Sequence, residues 1–192
     1  LKEIPLGSRD RLEGYLFPDT YEFYLGEDPK TAINKMLVNF DRRFDDEMRA
    51  AAQEKGYSVR DIVIIASMIE KETDGTDQAH IASVIYNRLT NTSAETVGLL
   101  GIDATLVYAL GRPITQDDYQ TADTPYNTYK YQGLPPGPIS NPGMVAIRAA
   151  MNPDSTSDYY YVLGNDGKHH FFKTLKGQQD FIAQQQAEKR SG

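Results

Sequence analysis

Cysteine is absent from the 192 residues, and histidine is scarce: His80, His169 and His170 only, two of them adjacent. The first absence excludes a disulfide framework, a zinc–thiolate site and a thiol nucleophile together. The second argues against a histidine-rich metal centre, so neither metal nor cofactor is expected. Basic charge is also in deficit. The formal net charge is −7 and the pI is near 5.0, whereas phosphate-backbone binding wants a basic stripe, so no nucleic-acid partner is expected. No run approaches the ~20 apolar residues of a membrane span. The longest uncharged apolar stretch, Ile62 to Ile69, has the length of a buried helix segment. The chain opens at Leu1 with neither methionine nor signal peptide, so a fragment separated from its targeting elements is expected.

Hydrophobic residues make up 40% of the chain, enough for one fairly large domain or two small ones. The first stretch, LEGYLFPDTYEFYLG, is aromatic and reads as extended structure around a Pro18-Asp19 turn. Asp28 and Pro29 then open a long amphipathic helix with apolar positions at Ile33, Met36, Leu37, Phe40, Phe44 and Met48, stopping at Gly56. Ser58 to Asp61 resembles a capping box ahead of DIVIIASMIEKET. Further helices are expected over Gln78–Leu89, from Asp103 to a stop at Gly111, and around Val145–Met151. An irregular stretch rich in Pro, Gly, Asn and Tyr covers 121–143. A hairpin with its turn at Asn165-Asp166-Gly167 follows, and a polar terminal helix begins near Gln178. Helices with few strands and no βαβ alternation predict an α+β fold. We place the domain boundary at 27/28: an extended segment 1–27, readable as the end of a preceding LysM-like subdomain, then a single domain over 28–192.

The helix over 62–73 is apolar nearly all round, so it is buried, and Glu70, Lys71 and Glu72 stand at its C-terminal end. Glu70 follows Ala66 by one turn and Val63 by two. That stripe predicts partial desolvation, which disfavours the charged form of a carboxyl and suits a general acid. Glu72 lies about 200° further round the helix. The plainer reading is a solvated helix end whose acids pair with Lys71 or Arg88. In the irregular stretch, Tyr126, Asn127, Thr128, Tyr129, Tyr131 and Asn141 alternate with rigid prolines. Aromatic faces and amide or hydroxyl groups suit sugar rings, although such a loop can also pack on its own core. Asp103 is either a site acid or the N-cap of its helix.

Taken in order, EGYLFPDTYEFY (13–24), IASMIEKET (65–73), VIYNRL (84–89), DATLVYALG (103–111), TPYNTYKYQGLPPGPISNPG (124–143) and YYYVLGNDGKHHFFKT (159–174) resemble the endolytic murein transglycosylase (YceG-like) family across nearly the whole chain. The resemblance implies cleavage of the β-1,4 bond between N-acetylmuramic acid and N-acetylglucosamine within peptidoglycan strands, leaving 1,6-anhydro ends. It implies that the first glutamate of the EKET block, Glu70, is the acid/base residue. It also directs attention to Glu13, Phe17, Glu72, Asn87, Asp103, Thr105, Tyr126, Asn127, Thr128, Asn141 and His170 as substrate-binding positions, His170 standing where relatives often have a histidine. Two departures stand out. Gly101 replaces a glutamine found in some relatives, and Gln178 falls near a replaced histidine. Implied partners are glycan strands and the penicillin-binding proteins of wall synthesis. Implied location is the cell membrane, through an anchor absent from this segment, with the catalytic part facing the periplasm or exterior. Competing readings are a non-catalytic glycan-binding module and a pyridoxal-phosphate lyase. The lyase needs a Schiff-base lysine and a phosphate cradle that the sequence does not offer.

Overall fold

The computed structural model describes residues 11–73 and 75–191. Among these described residues, eight helices and one two-stranded antiparallel sheet make an α+β fold. The organising element is α3 (Val59–Glu72), which buries every residue from Ile62 to Ile69. It starts at a true capping box, in which Ser58 and Asp61 satisfy each other's backbone N–H groups. Around it pack α2 (Asp46–Glu54), α4 (Gln78–Thr90), α5 (Asp103–Leu110) and α7 (Met144–Met151).

The expected long first helix is instead two, α1 (Pro29–Arg43) and α2. The break falls at Phe44-Asp45, where the Asp45 carboxylate accepts the Met48 N–H and so caps a new helix. Apolar periodicity passed through this break because Phe44 and Met48 serve one core from both sides. Helix α5 stops at Gly111, whose φ of +64° is the left-handed C-cap conformation. A single turn, α6 (Asp118–Thr121), precedes the irregular stretch. The hairpin pairs β1 (Tyr160–Leu163) with β2 (His169–Phe172), and α8 (Leu175–Ser191) closes the described chain.

No strand forms in the described part of the aromatic N-terminal segment. Tyr15 and Phe17 enter the same core as Phe40 and α3. Residues 1–10 lie outside the described residues. The Asn141 side-chain oxygen fastens this segment by accepting from Gly14 N at 2.9 Å and Leu16 N at 3.0 Å. Gly14 has φ +87°, and a Cβ there would lie 2.6 Å from both Pro138 and Val63. Gly14→Ala is therefore expected to destabilise the fold by about 1–3 kcal/mol, from overpacking and left-handed strain together. A denaturant midpoint unchanged from wild type would contradict that.

The proline-rich stretch packs onto α3. Ser67, the lone polar residue on the helix's buried length, donates to Ile64 O and accepts from Ile139 N at 3.0 Å, and its carbonyl takes the Ser140 hydroxyl. Pro135, Pro138 and Pro142 are buried. No helix among the described residues is long and apolar enough to cross a membrane.

Candidate active site

Where α3 ends, its two acids part company. Glu70 is exposed, and its carboxylate accepts the Gly143 N–H at 3.0 Å at the start of α7. The desolvation expected from its apolar stripe is not found. Since α3 is buried all round, a stripe of aliphatic neighbours says nothing about where the core stops, and on Glu70's side it stops at Ile69. Glu70 nonetheless touches the proline-rich stretch. As an anion at the N-terminus of α7 it ties α3 to α7, which are extensively packed.

Glu72, on the other side, turns into a cavity of about 450 Å³. Its walls include Arg88 from α4, Asp103 from α5, Tyr129 from the irregular stretch, Tyr160 and Tyr161 from β1, and Gln178 from α8. Tyr161 donates its hydroxyl to Glu72 Oε2 at 2.8 Å. Burial raises the Glu72 carboxyl above its ordinary value of 4.5. The Tyr161 hydrogen bond opposes that rise, the negative Asp103 reinforces it, and the Ala104 N–H and His169 oppose it more weakly. Burial also raises Tyr161, followed by the neighbouring Glu72 charge, so the phenol stays a donor. The result is a carboxyl that keeps its proton to higher pH than an ordinary glutamate, in a tyrosine-lined cleft.

This has a consequence for stability. A carboxyl raised in the folded state contributes stability in full below its unfolded value, and that contribution is lost as pH rises through the folded value. The wild type should thus lose stability relative to Glu72→Gln as pH increases upward from the ordinary glutamate range. Melting curves of both proteins across that range test it, and parallel curves would contradict it.

Arg88 is a structural cation. It is buried and donates to the carbonyls of Leu100 and Tyr159, the latter at 2.6 Å, with its guanidinium 5.4 Å from the Tyr160 ring. It pairs with neither Glu70 nor Glu72, so the plainer reading of those acids as partners of Arg88 does not hold.

Asp103 does not cap its helix. Ile102 holds the N-cap position, while the Asp103 carboxylate accepts from Tyr129 Oη at 2.5 Å and Tyr119 Oη at 3.3 Å.

Most of the other expected binding residues are engaged within the chain itself. Asn127 is fully buried, donating to Tyr119 O and Ala122 O and accepting from Tyr129 N. Thr128 is buried and accepts the Ile102 N–H at 2.9 Å, and Thr105 is buried against it at 3.1 Å. Asn87 donates to Thr156 O and Asp158 O. Asn141 is the fastener described above. Phe17 lies in the core with the Arg43 guanidinium over its ring at 4.9 Å. Tyr126 packs on Tyr108 at 5.2 Å, and Glu13 is half-buried in the N-terminal segment. Neither lines the cavity. His170 faces Asp166 and Phe181, away from it, and its neighbour His169 stands nearer the site. The His169 ring meets Tyr161 edge to face at 5.5 Å, and Nδ1 lies 2.5 Å from Asp77.

Neither Tyr161 nor the 95–100 wall is singled out by the sequence, which offers Arg88 only as a partner for the helix-end acids. The two departures, Gly101 and Gln178, both line the cavity. Val97, which also lines it, adopts φ +46°, a strained conformation for a β-branched residue.

An α+β domain with a glutamate of raised carboxyl pKa in an acid- and tyrosine-lined cleft is what the fold and site define. The chain belongs to the YceG-like family, whose model matches residues 2–184. It is 39% identical over 171 residues to the endolytic murein transglycosylase of Bacillus subtilis, covering 86% of this chain and 45% of that protein. It is 34% identical over 173 residues to the protein of the same name from Streptococcus pneumoniae strain D39, covering 84% and 30%. A crystal structure of a yceG-like protein from Listeria monocytogenes superposes with a TM-score of 0.78 at 38% identity, covering 88% of this chain and 55% of that one. The chain thus spans about half or less of the length of these relatives.

Proposed function

We propose that this chain is the catalytic part of a peptidoglycan lytic transglycosylase and that proton transfer falls to Glu72 rather than Glu70. The observation that carries the reading is the Glu72 carboxyl, oriented by Tyr161 and enclosed by a cavity whose walls mix tyrosine rings with acids. Such walls suit sugars, whose C–H faces pack on rings while their hydroxyls find polar partners. The relatives' shared name supports the substrate class.

The chemistry needs one carboxyl group. Protonated Glu72 gives its proton to the O4 oxygen that links muramyl C1 to the next sugar, and the C1–O4 bond breaks. An oxocarbenium-like centre develops at C1. The muramyl O6 then closes on C1, forming the 1,6-anhydro ring, and its proton passes to the Glu72 carboxylate. Glu72 ends protonated and no water is consumed. Tyr161 keeps the carboxyl aimed through both proton transfers.

Digesting purified glycan strands and weighing the fragments tests the product. Anhydro ends, one water lighter than hydrolysed ends, are expected. Hydrolysed ends would make the protein an ordinary glycosidase, and uncut strands would reduce it to a glycan-binding module.

A further inference from the structure

We propose that Asp103 is a second catalytic carboxylate, lying against the muramyl ring and stabilising the positive charge that develops at C1; this rests on the Glu72 reading. Asp103 is the first residue of α5 and stands exposed at the wall of the cavity that Glu72 enters. Its side chain is held by two phenols, one on each oxygen. Both phenols are raised from their ordinary value, burial first in each case and the Asp103 carboxylate next, so they present O–H groups and not phenolates. Donors of that kind orient a carboxylate without neutralising it, whereas a salt-bridged arginine would cancel the charge a cationic transition state needs.

The mount is rigid. Gly101 N donates to Thr128 O at 3.0 Å, Ile102 N to Thr128 Oγ1, and Thr105 meets Thr128 from the next turn. These bonds lock the start of α5 to the same stretch that supplies Tyr129, so Asp103 and its donor move as one piece. A fixed negative group costs no reorganisation when the sugar becomes cationic.

Asp103 also acts on Glu72. Once Glu72 has given up its proton, two negative carboxylates face each other across the cleft, and their repulsion favours return of a proton from O6. The other groups facing Glu72 are Tyr161 from β1, His169 from β2, Arg88 from α4 and Tyr129. One further carboxylate lines the cavity, Glu95, and it accepts from the Tyr160 hydroxyl and the Leu175 N–H.

Asp103→Asn tests the role, through kcat, KM and the pH dependence of strand cleavage. We expect kcat to fall about 100-fold with KM within about threefold. Cleavage requires protonated Glu72 and declines as pH rises, so loss of the Asp103 charge should move that decline to lower pH. A kcat within about threefold of wild type, or a loss with the pH decline unmoved, overturns the proposal, since a residue that only supports α5 would leave the profile in place. Should Asp103→Asn fail to fold, Tyr129→Phe decides. It keeps the carboxylate but removes one of its two donors, and is expected to lose about 10-fold in kcat; unchanged kcat and pH profile overturn the role. Cleavage surviving in Glu72→Gln would remove the Glu72 assignment separately, leaving the Asp103→Asn kcat result to stand alone.

Discussion

Replacing Glu72 with glutamine should all but abolish strand cleavage, with kcat falling by about 1,000-fold or more, while strands still bind and the folded protein is at least as stable at neutral pH. Glutamine keeps the shape of the side chain and an oxygen for the Tyr161 hydroxyl, so the cavity should persist. What disappears is the transferable proton. The companion variant Glu70→Gln separates the two acids. Its amide oxygen can still accept from Gly143 N, so the tie between α3 and α7 survives and kcat should stay within about threefold. Parallel digests of the two variants, compared by fragment mass, check both halves. If the effects are exchanged, the exposed Glu70 is the working acid after all and the cavity serves another purpose.

Arg88→Met should give the largest loss of stability, about 3 kcal/mol. The methionine fills the aliphatic space but leaves the carbonyls of Leu100 and Tyr159 without their donor in a buried setting. For a chain of this length that corresponds to a drop in melting temperature of about 6–12 °C. The same bonds join α4 to the strand entering β1 and to the segment entering α5, the two elements that carry Tyr161 and Asp103. Cleavage should therefore fall even below the melting transition. Thermal melts paired with rate measurements at low temperature check this. A melting temperature within 2 °C or so of wild type would mean those carbonyls are satisfied otherwise.

Much of the fold could be read from local chemistry. The Ser58–Asp61 capping box, the apolar run of α3, the Gly111 stop and the Asn165–Gly167 turn are all set by neighbours in sequence, and all are present. The break at Asp45 was not legible, because a cap changes the direction of the chain without interrupting its apolar pattern. The site was legible only in part. The acids at the end of α3 stand out as polar residues closing a buried helix, and Asp103 as an acid opening another. The choice between Glu70 and Glu72 depends on what packs on each side. That is decided by Tyr161, 89 residues away, and by the first turn of α5. No local pattern carries such information.

The loop residues expected to bind lie off the cavity wall for a related reason. Asn127, Thr128 and Asn141 have the groups a sugar needs, but the same groups satisfy backbone N–H and C=O in a stretch without regular structure. An irregular backbone creates its own demand for side-chain amides and hydroxyls, and here that demand is met first. These residues contribute to the site at one remove, by fixing Tyr129 and the start of α5.

The Glu72 carboxyl is expected to hold its proton beyond the ordinary range of a glutamate while facing the cavity. Carbon-13 NMR of side-chain carboxyls, titrated with pH and assigned by the signal lost in Glu72→Gln, measures this directly. The Glu72 resonance is expected to change well after the bulk of the glutamate signals as pH rises, and Asp103→Asn to bring it closer to them. A Glu72 resonance that titrates together with the exposed glutamates would contradict it.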